Sequence, residues 1–166
     1  LDWSRSQTGQ ISFYPQKLNL FHAILYDIAT HEAMAETKKI SLINQIPKSL
    51  EVFADHDMIN TIIRNLLSNA LKFTHEGGTV ALGAEEKDNF VEIYVQDNGI
   101  GIAQEDIPKI FSSNETHTKR GTASEKGVGL GLKLCKDFAV QNGGKIKVES
   151  ESEKGSKFTF TVPKYH

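Results

Sequence analysis

The stretch Asn65-Leu66-Leu67-Ser68-Asn69-Ala70-Leu71-Lys72-Phe73 carries two helical signals at once. Ile59, Ile62, Ile63, Leu66, Leu67, Ala70 and Leu71 recur at the spacing of one buried helix face. Asn65, Asn69 and Lys72 recur at i, i+4 and i+7 and share a second face bordering the first. Two carboxamides and an ammonium beside an apolar stripe suit a hydrated cation and phosphates, because a carboxamide oxygen is a hard donor of the kind Mg²⁺ accepts. The alternative is a solvated polar edge, and the helix alone does not decide between them. Asp55 stands just upstream as a candidate N-cap, and Gly77-Gly78 stands downstream as a stop.

Outward from this helix the elements alternate. Ile11 to Tyr14 reads as a short strand, Asn19 to about Lys38 as a helix with Leu20, Ile24, Leu25 and Ile28 inside, and Ile40–Asn44 and Leu50–Ala54 as strands around a turn at Pro47. Thr79–Glu86 and Phe90–Gln96 form a hairpin, Ala103–Ile110 a short helix, Gly131–Asn142 a helix ended by Gly143-Gly144, and Lys145–Ser150 with Lys157–Val162 a second hairpin. Ser112–Lys126 is polar and aperiodic, the pattern of a functional loop. This order predicts an α+β two-layer sandwich, a mixed β-sheet with helices packed on one face.

Composition narrows the classes. The chain has 166 residues, 39% hydrophobic and 24% charged, with a formal net charge of -2. Such a balance builds one soluble domain and does not draw the chain to nucleic acid or an acidic membrane surface. No apolar run approaches the roughly 20 residues of a membrane span, and no signal peptide opens the chain. The single cysteine, Cys135, excludes an internal disulfide, fits a reducing compartment, and falls in an apolar stripe as a packed thiol.

Two further motifs flank the polar loop. Val91, Ile93, Val95 and Asp97 alternate onto one face, so Asp97 is an inward carboxylate that needs a donor, and an adenine amino group is one. Asp97-Asn98-Gly99 also fits a hairpin turn, but Ile100-Gly101-Ile102 and the acidic Gln104-Glu105-Asp106 that follow do not read as a strand. Gly127-Val128-Gly129-Leu130-Gly131-Leu132 joins the loop to an amphipathic helix and would expose amides at a helix start, a phosphate cradle, or else act as a hinge. Its spacing is neither a dinucleotide fingerprint nor a P-loop.

In this order the motifs resemble the N, G1, F and G2 boxes of one family: Asn65 to Thr74, Asp97 to Ile102, Ile110-Phe111, and Gly127 to Leu132. The chain is similar over roughly residues 11–163 to the catalytic ATP-binding (HATPase) domain of two-component sensor histidine kinases, in the gyrase–Hsp90–kinase–MutL (GHKL) superfamily with its Bergerat fold. The resemblance implies ATP and Mg²⁺ as cofactors. It implies Asn69 as the metal ligand, Asn65 as support for metal and phosphates, Lys72 on phosphate oxygens, and Phe73 near the adenine. It implies Asp97 on the adenine amino group, with Gly99, Gly101, Ile102 and Phe111 around the base. Ser112–Lys126 would be a lid, Gly127, Val128, Gly129, Leu130, Gly131 and Leu132 its hinge and phosphate wall, and Lys126 a γ-phosphate contact. Val128 departs from the Thr or small residue usual there. The implied catalytic set is Asn65, Lys72 and Lys126.

No phosphoacceptor histidine is in register. His31-Glu32 is the only His-Glu pair, it lies mid-helix, and a helix-surface histidine explains it. The resemblance therefore implies a transferase that donates the γ-phosphate of ATP to a histidine outside this chain, for onward transfer in a phosphorelay. Residues 1–10 resemble the end of the dimerisation helix, and 11–166 the catalytic domain. The implied partners are the dimerisation and phosphoacceptor domain and a response-regulator receiver domain, in a full-length homodimer, cytoplasmic, with the parent protein anchored in or free of the inner membrane. The competing readings are an ATP hydrolase of the gyrase type and a nucleotide-binding docking module without transfer. The hydrolase usually carries Glu where this chain has Asn65, and an amide cannot take up a proton at neutral pH.

Overall fold

The computed structural model describes residues 12–112 and 131–165. Strand β1 (Pro15–Asn19) leads into helices α1 (Leu20–Ala23) and α2 (Leu25–Thr37), strands β2 (Ser41–Asn44) and β3 (Glu51–Asp55), and the long helix α3 (His56–Phe73). Strands β4 (Thr79–Glu86) and β5 (Phe90–Asp97), a 3₁₀ turn (Ile107–Lys109), helix α4 (Gly131–Gln141), and strands β6 (Ile146–Glu151) and β7 (Gly155–Pro163) follow. The main sheet runs β2-β4-β5-β7-β6, with β2 parallel to β4 and the other neighbours antiparallel. β1 and β3 form a separate antiparallel pair, tied to the end of β7 by a bridge between Val52 and Lys164. The helices cover one face of a mixed sheet, the predicted two-layer sandwich.

The alternation that sets this layering is visible row by row. Ile93 pairs with Phe160 and Phe160 with Ile146; Val95 pairs with Phe158 and Phe158 with Val148. These side chains meet the helices, and Ile59, Ile62, Ile63, Leu66, Leu67 and Leu71 of α3 fill the space above them. The opposite face carries Glu85, Lys87, Glu92 and Lys147 in exposed ion pairs, as expected of an antiparallel sheet with one wet side. Cys135 is fully buried, and burial pushes its thiol pKa well above the ordinary value, consistent with a packed, unreactive thiol.

Helix α3 is fixed at both ends. Asp55 accepts from the Met58 amide at 3.0 Å and from the Tyr14 amide at 2.8 Å, so one carboxylate caps the helix and anchors the chain before β1. At the other end Lys38 donates to the carbonyls of Leu71 and Lys72, both at 2.9 Å, placing a cation on the negative end of the helix. Helix α4 ends as expected at Gly143, φ +83°, with Gly144 and Gly143 amides on the carbonyls of Ala139 and Val140.

Three local expectations need correction. Among the described residues the first strand is Pro15–Asn19, and residues 12–14 of the expected Ile11–Tyr14 strand lie outside it, because the register is set by pairing with β3 from Asp55 to Glu51. The helix from Asn19 is two helices: Ile24 (φ −106°, ψ 1°) breaks it. Leu20, Ile24 and Ile28 are buried, but Leu25 falls outside that stripe and is exposed. Ala103–Ile110 is a run of turns with a short 3₁₀ segment, since Pro108 supplies no amide for a continuous α-helix.

Candidate nucleotide-binding site

The polar face of α3 is bounded at both ends by glycines. Near its middle, Asn65 donates its amide to the Thr61 carbonyl at 2.8 Å, which orients the carboxamide oxygen outward toward Gly131. A Cβ on Gly131 would overlap that oxygen, so the first turn of α4 leaves the Asn65 carboxamide in this position only with glycine. Asn69 is half-buried one turn further on. Lys72 is 9% exposed, and its ammonium lies 4.8 Å from the centre of the Phe73 ring, a cation–π contact at the end of the helix. From Asn65 to Phe73 the helix rises about 12 Å.

At the C-terminal end of α3 the loop after β5 is stapled to the helix. Ile100 donates to the Phe73 carbonyl at 3.0 Å, and a Cβ on Gly99 would strike the same carbonyl. Asp97-Asn98-Gly99 is thus no hairpin turn. Asp97 accepts from the Gly99 amide at 2.9 Å and, through its backbone, Ser156 also faces the carboxylate. Asp97 is 9% exposed. Burial raises its pKa, and the two amides pull it back only in part. A buried acceptor with spare lone pairs at the end of β5 is a recognition group in search of a donor.

The rest of the loop is held by β6. Ile102 donates to the Ser150 hydroxyl at 2.8 Å, Gln104 donates to the Ser150 carbonyl at 2.7 Å, and Glu153 donates to the Ile100 carbonyl at 2.6 Å. Gly101, φ +68°, sits against the Glu151 carbonyl, where a side chain has no room. Phe111 meets Phe158 edge to face, 6.3 Å between centroids. The structure so puts Asn65, Asn69, Lys72 and Phe73 on α3, sets Gly131 and Leu132 at the start of α4 with Gly131 against Asn65, and brings Asp97, Gly99, Gly101, Ile102 and Phe111 to the adjoining strand ends. Lys126, Gly127, Val128, Gly129, Leu130 and the 113–126 segment, with His117, lie outside the described residues. His31 is half-buried on α2, its Nδ1 donating to the Asp27 carbonyl at 2.6 Å, as a helix histidine does.

A cavity of about 390 Å³ lies at the same strand ends, bordered by Gln96, Asp97, Glu149, Ser156 and Lys157. It touches no residue of α3, and Gln96, Glu149 and Lys157 belong to the outward face, so it is not the cleft between helix and loop. Ser150 and Ser156 are the polar residues the sequence reading passed over. Alternation along β7 with Phe158, Phe160 and Val162 places Ser156 inward, and direct pairing places it beside Asp97.

Residues 54–166 match the profile of the family described as histidine kinase-, DNA gyrase B- and HSP90-like ATPase. The chain belongs to this ATPase family. Within it, the chain is 36% identical over 153 residues to the adaptive-response sensory kinase SasA of Prochlorococcus marinus (strain MIT 9313), covering 91% of this chain and 41% of that protein. It is 35% identical over 133 residues to the sensor histidine kinase WalK of Bacillus subtilis (strain 168), covering 78% of this chain and 22% of that protein. The chain thus spans less than half the length of these relatives. The nucleotide-free catalytic domain of the histidine kinase ThkA superposes with a TM-score of 0.79 at 29% identity, over 93% of this chain and 97% of that one. Full-length ShkA in complex with AMPPNP gives 0.81 at 25% identity, over 99% of this chain and 34% of that one. This member of the ATPase family has the fold and motifs of a histidine kinase catalytic, ATP-binding domain. No helix among its described residues is long and apolar enough to cross a membrane.

Proposed function

We propose that this chain binds ATP with Mg²⁺ along α3 and donates the γ-phosphate to a histidine on a separate dimerisation domain, for onward transfer to a response-regulator receiver domain. The observation that carries the reading is Asp97, a buried carboxylate with lone pairs to spare at the end of β5, where the following loop is bonded to the Phe73 carbonyl at the end of α3. An adenine amino group supplies the donor it lacks. With the base there, Gly99, Gly101, Ile102, Phe73 and Phe111 form its walls. The phosphates then run back along Lys72, Asn69 and Asn65 toward the start of α4.

The donor set fits the metal. Carboxamide oxygens are hard, neutral ligands of the kind Mg²⁺ takes while it keeps waters and phosphate oxygens, and among the described residues no cluster of His, Cys, Asp or Glu competes for it. Asn69 would hold the ion and Asn65 would brace it; Mg²⁺ would supply neutralisation of phosphate charge. The chain's own contribution is positioning and electrostatics: Lys72 on phosphate oxygens, the amides of Gly131 and Leu132 at the helix start, and by the family resemblance Gly127 to Leu130 and Lys126. No proton acceptor is needed here, since the attacking imidazole comes from the partner domain. By the family resemblance, the parent protein would work as a homodimer in the cytoplasm.

The test mixes this chain with a helical hairpin bearing the phosphoacceptor histidine and γ-labelled ATP. Acid-labile label on the hairpin is expected. Acid-stable label points to a hydroxyl acceptor, brisk release of free phosphate to a hydrolase, and ATP binding without label to a docking module; each contradicts the proposal.

A further inference from the structure

Ser150 stands outside the nucleotide motifs, yet its hydroxyl makes three contacts behind them. It accepts from the Ile102 amide at 2.8 Å, donates to the Gly155 carbonyl at 2.9 Å, and lies 2.7 Å from the Ser156 hydroxyl. A serine hydroxyl has one proton and two lone pairs. The Gly155 carbonyl can only accept, so it takes the Ser150 proton. With that proton on Gly155, the contact with Ser156 runs from Ser156 to Ser150: Ser156 donates and Ser150 accepts. Ser150 is then saturated, with one bond given and two received.

The consequence falls on Asp97. Asp97, Ser156 and Ser150 are directly paired across β5, β7 and β6, so their side chains form one polar row on the inward face, at the end of the apolar rows. Direct pairing sets Ser156 beside Asp97 on the same face, so its hydroxyl proton is one that Asp97 could capture. Ser150 draws that proton the other way. We infer that Ser150 is a positioning residue for base recognition: by fixing the direction of the Ser156 proton, it keeps the Asp97 carboxylate open to a 6-amino purine and so sets discrimination against 6-oxo purines. This rests on the adenine reading of Asp97.

Without the Ser150 hydroxyl, Ser156 is released to donate to Asp97. The carboxylate is then satisfied internally and competes less well for the amino group of the base. Loss of the Ile102 bond would loosen the loop too, but that affects any purine equally. The signature of the inference is therefore a ratio and not an affinity.

The experiment is calorimetric titration of the whole chain with ATP and with inosine triphosphate, each with Mg²⁺. The two ligands differ in the six-position and the adjoining ring nitrogen. Wild type is expected to favour ATP. In Ser150→Ala the ATP-to-inosine preference should fall about fivefold, the scale of one hydrogen bond, on top of any loss the two nucleotides share. Ser150→Thr, which keeps the hydroxyl, should restore the preference, and Ser150→Ala with Ser156→Ala should restore it as well, because no competing proton remains. If Ser150→Ala does not fold, Ser150→Cys makes the same comparison, since a thiol is a weak acceptor. Equal loss for both nucleotides, or an unchanged preference, overturns the inference and leaves the adenine reading standing. Wild type that binds neither nucleotide overturns both.

Discussion

At the scale of single residues, the site is a set of donors and acceptors left over after the fold has satisfied the rest. Asn65 gives its amide to Thr61 and turns its oxygen toward Gly131, and Asp97 takes two backbone amides; each keeps lone pairs to spare. Asn69→Asp adds charge where a neutral oxygen is needed, and Asp97→Asn removes the charged acceptor. Each should weaken Mg-ATP about tenfold or more by calorimetry, and unchanged affinity in both would remove the site assignment. Gly131→Ala tests the close approach of α4: its Cβ must displace the Asn65 carboxamide. Because that is a movable side-chain end, the melting temperature should change little while Mg-ATP affinity falls. Asp27 is a different kind of residue. It is 0% exposed, neither carboxylate oxygen has a hydrogen bond, and Arg64 reaches only to 3.7 Å. Burial raises its pKa, against the opposing pull of Arg64, His31 and His56. The folded state therefore holds this proton more tightly than the unfolded chain does. Its contribution to stability is complete below the ordinary carboxylate range of about 4 and is lost as pH rises through the raised value. Wild type should lose stability between mildly acid and neutral pH by a component that Asp27→Asn lacks, as read from urea melts across that range.

At the scale of elements, α3 is the axis on which the site is built; its start is capped by the adjacent Asp55 and its end by Lys38, remote in sequence. Lys38 on the far side of α2 caps its last carbonyls. Lys38→Ala should cost about 1 kcal/mol and lower the melting temperature by about 2–4 °C, measured by calorimetric or circular-dichroism melts; no change would show the cap to be idle. The sequence announced α3 plainly, because eighteen residues at one period with an Asp cap leave little choice. It announced the strands as well, because period-2 alternation survives in Val91 to Asp97 and Phe158 to Val162. It misplaced β1, the break at Ile24 and the 3₁₀ turn because these depend on pairing with β3, on a single residue's torsions, and on Pro108, not on periodicity. The Ser150–Ser156 pair was hidden for a related reason: two serines carry no signal until strand register lays them beside Asp97.

At the scale of the whole molecule, the sheet order puts the ends of β5, β6 and β7 together and lays α3 across them, so a loop after β5 and a helix start after residue 130 face one another across the same helix. That convergence was legible as motif order, but its geometry was not, since residues 65, 97 and 131 meet only through non-local pairing. The account stands on a purine nucleotide lying along α3 with its base on Asp97. Its most direct test is calorimetric titration of the folded chain with ATP and Mg²⁺, set beside Asp97→Asn. The account predicts a saturable, single-site heat for wild type that weakens about tenfold or more in the variant. Absence of heat on well-folded wild-type protein, or equal binding by the two, would contradict it.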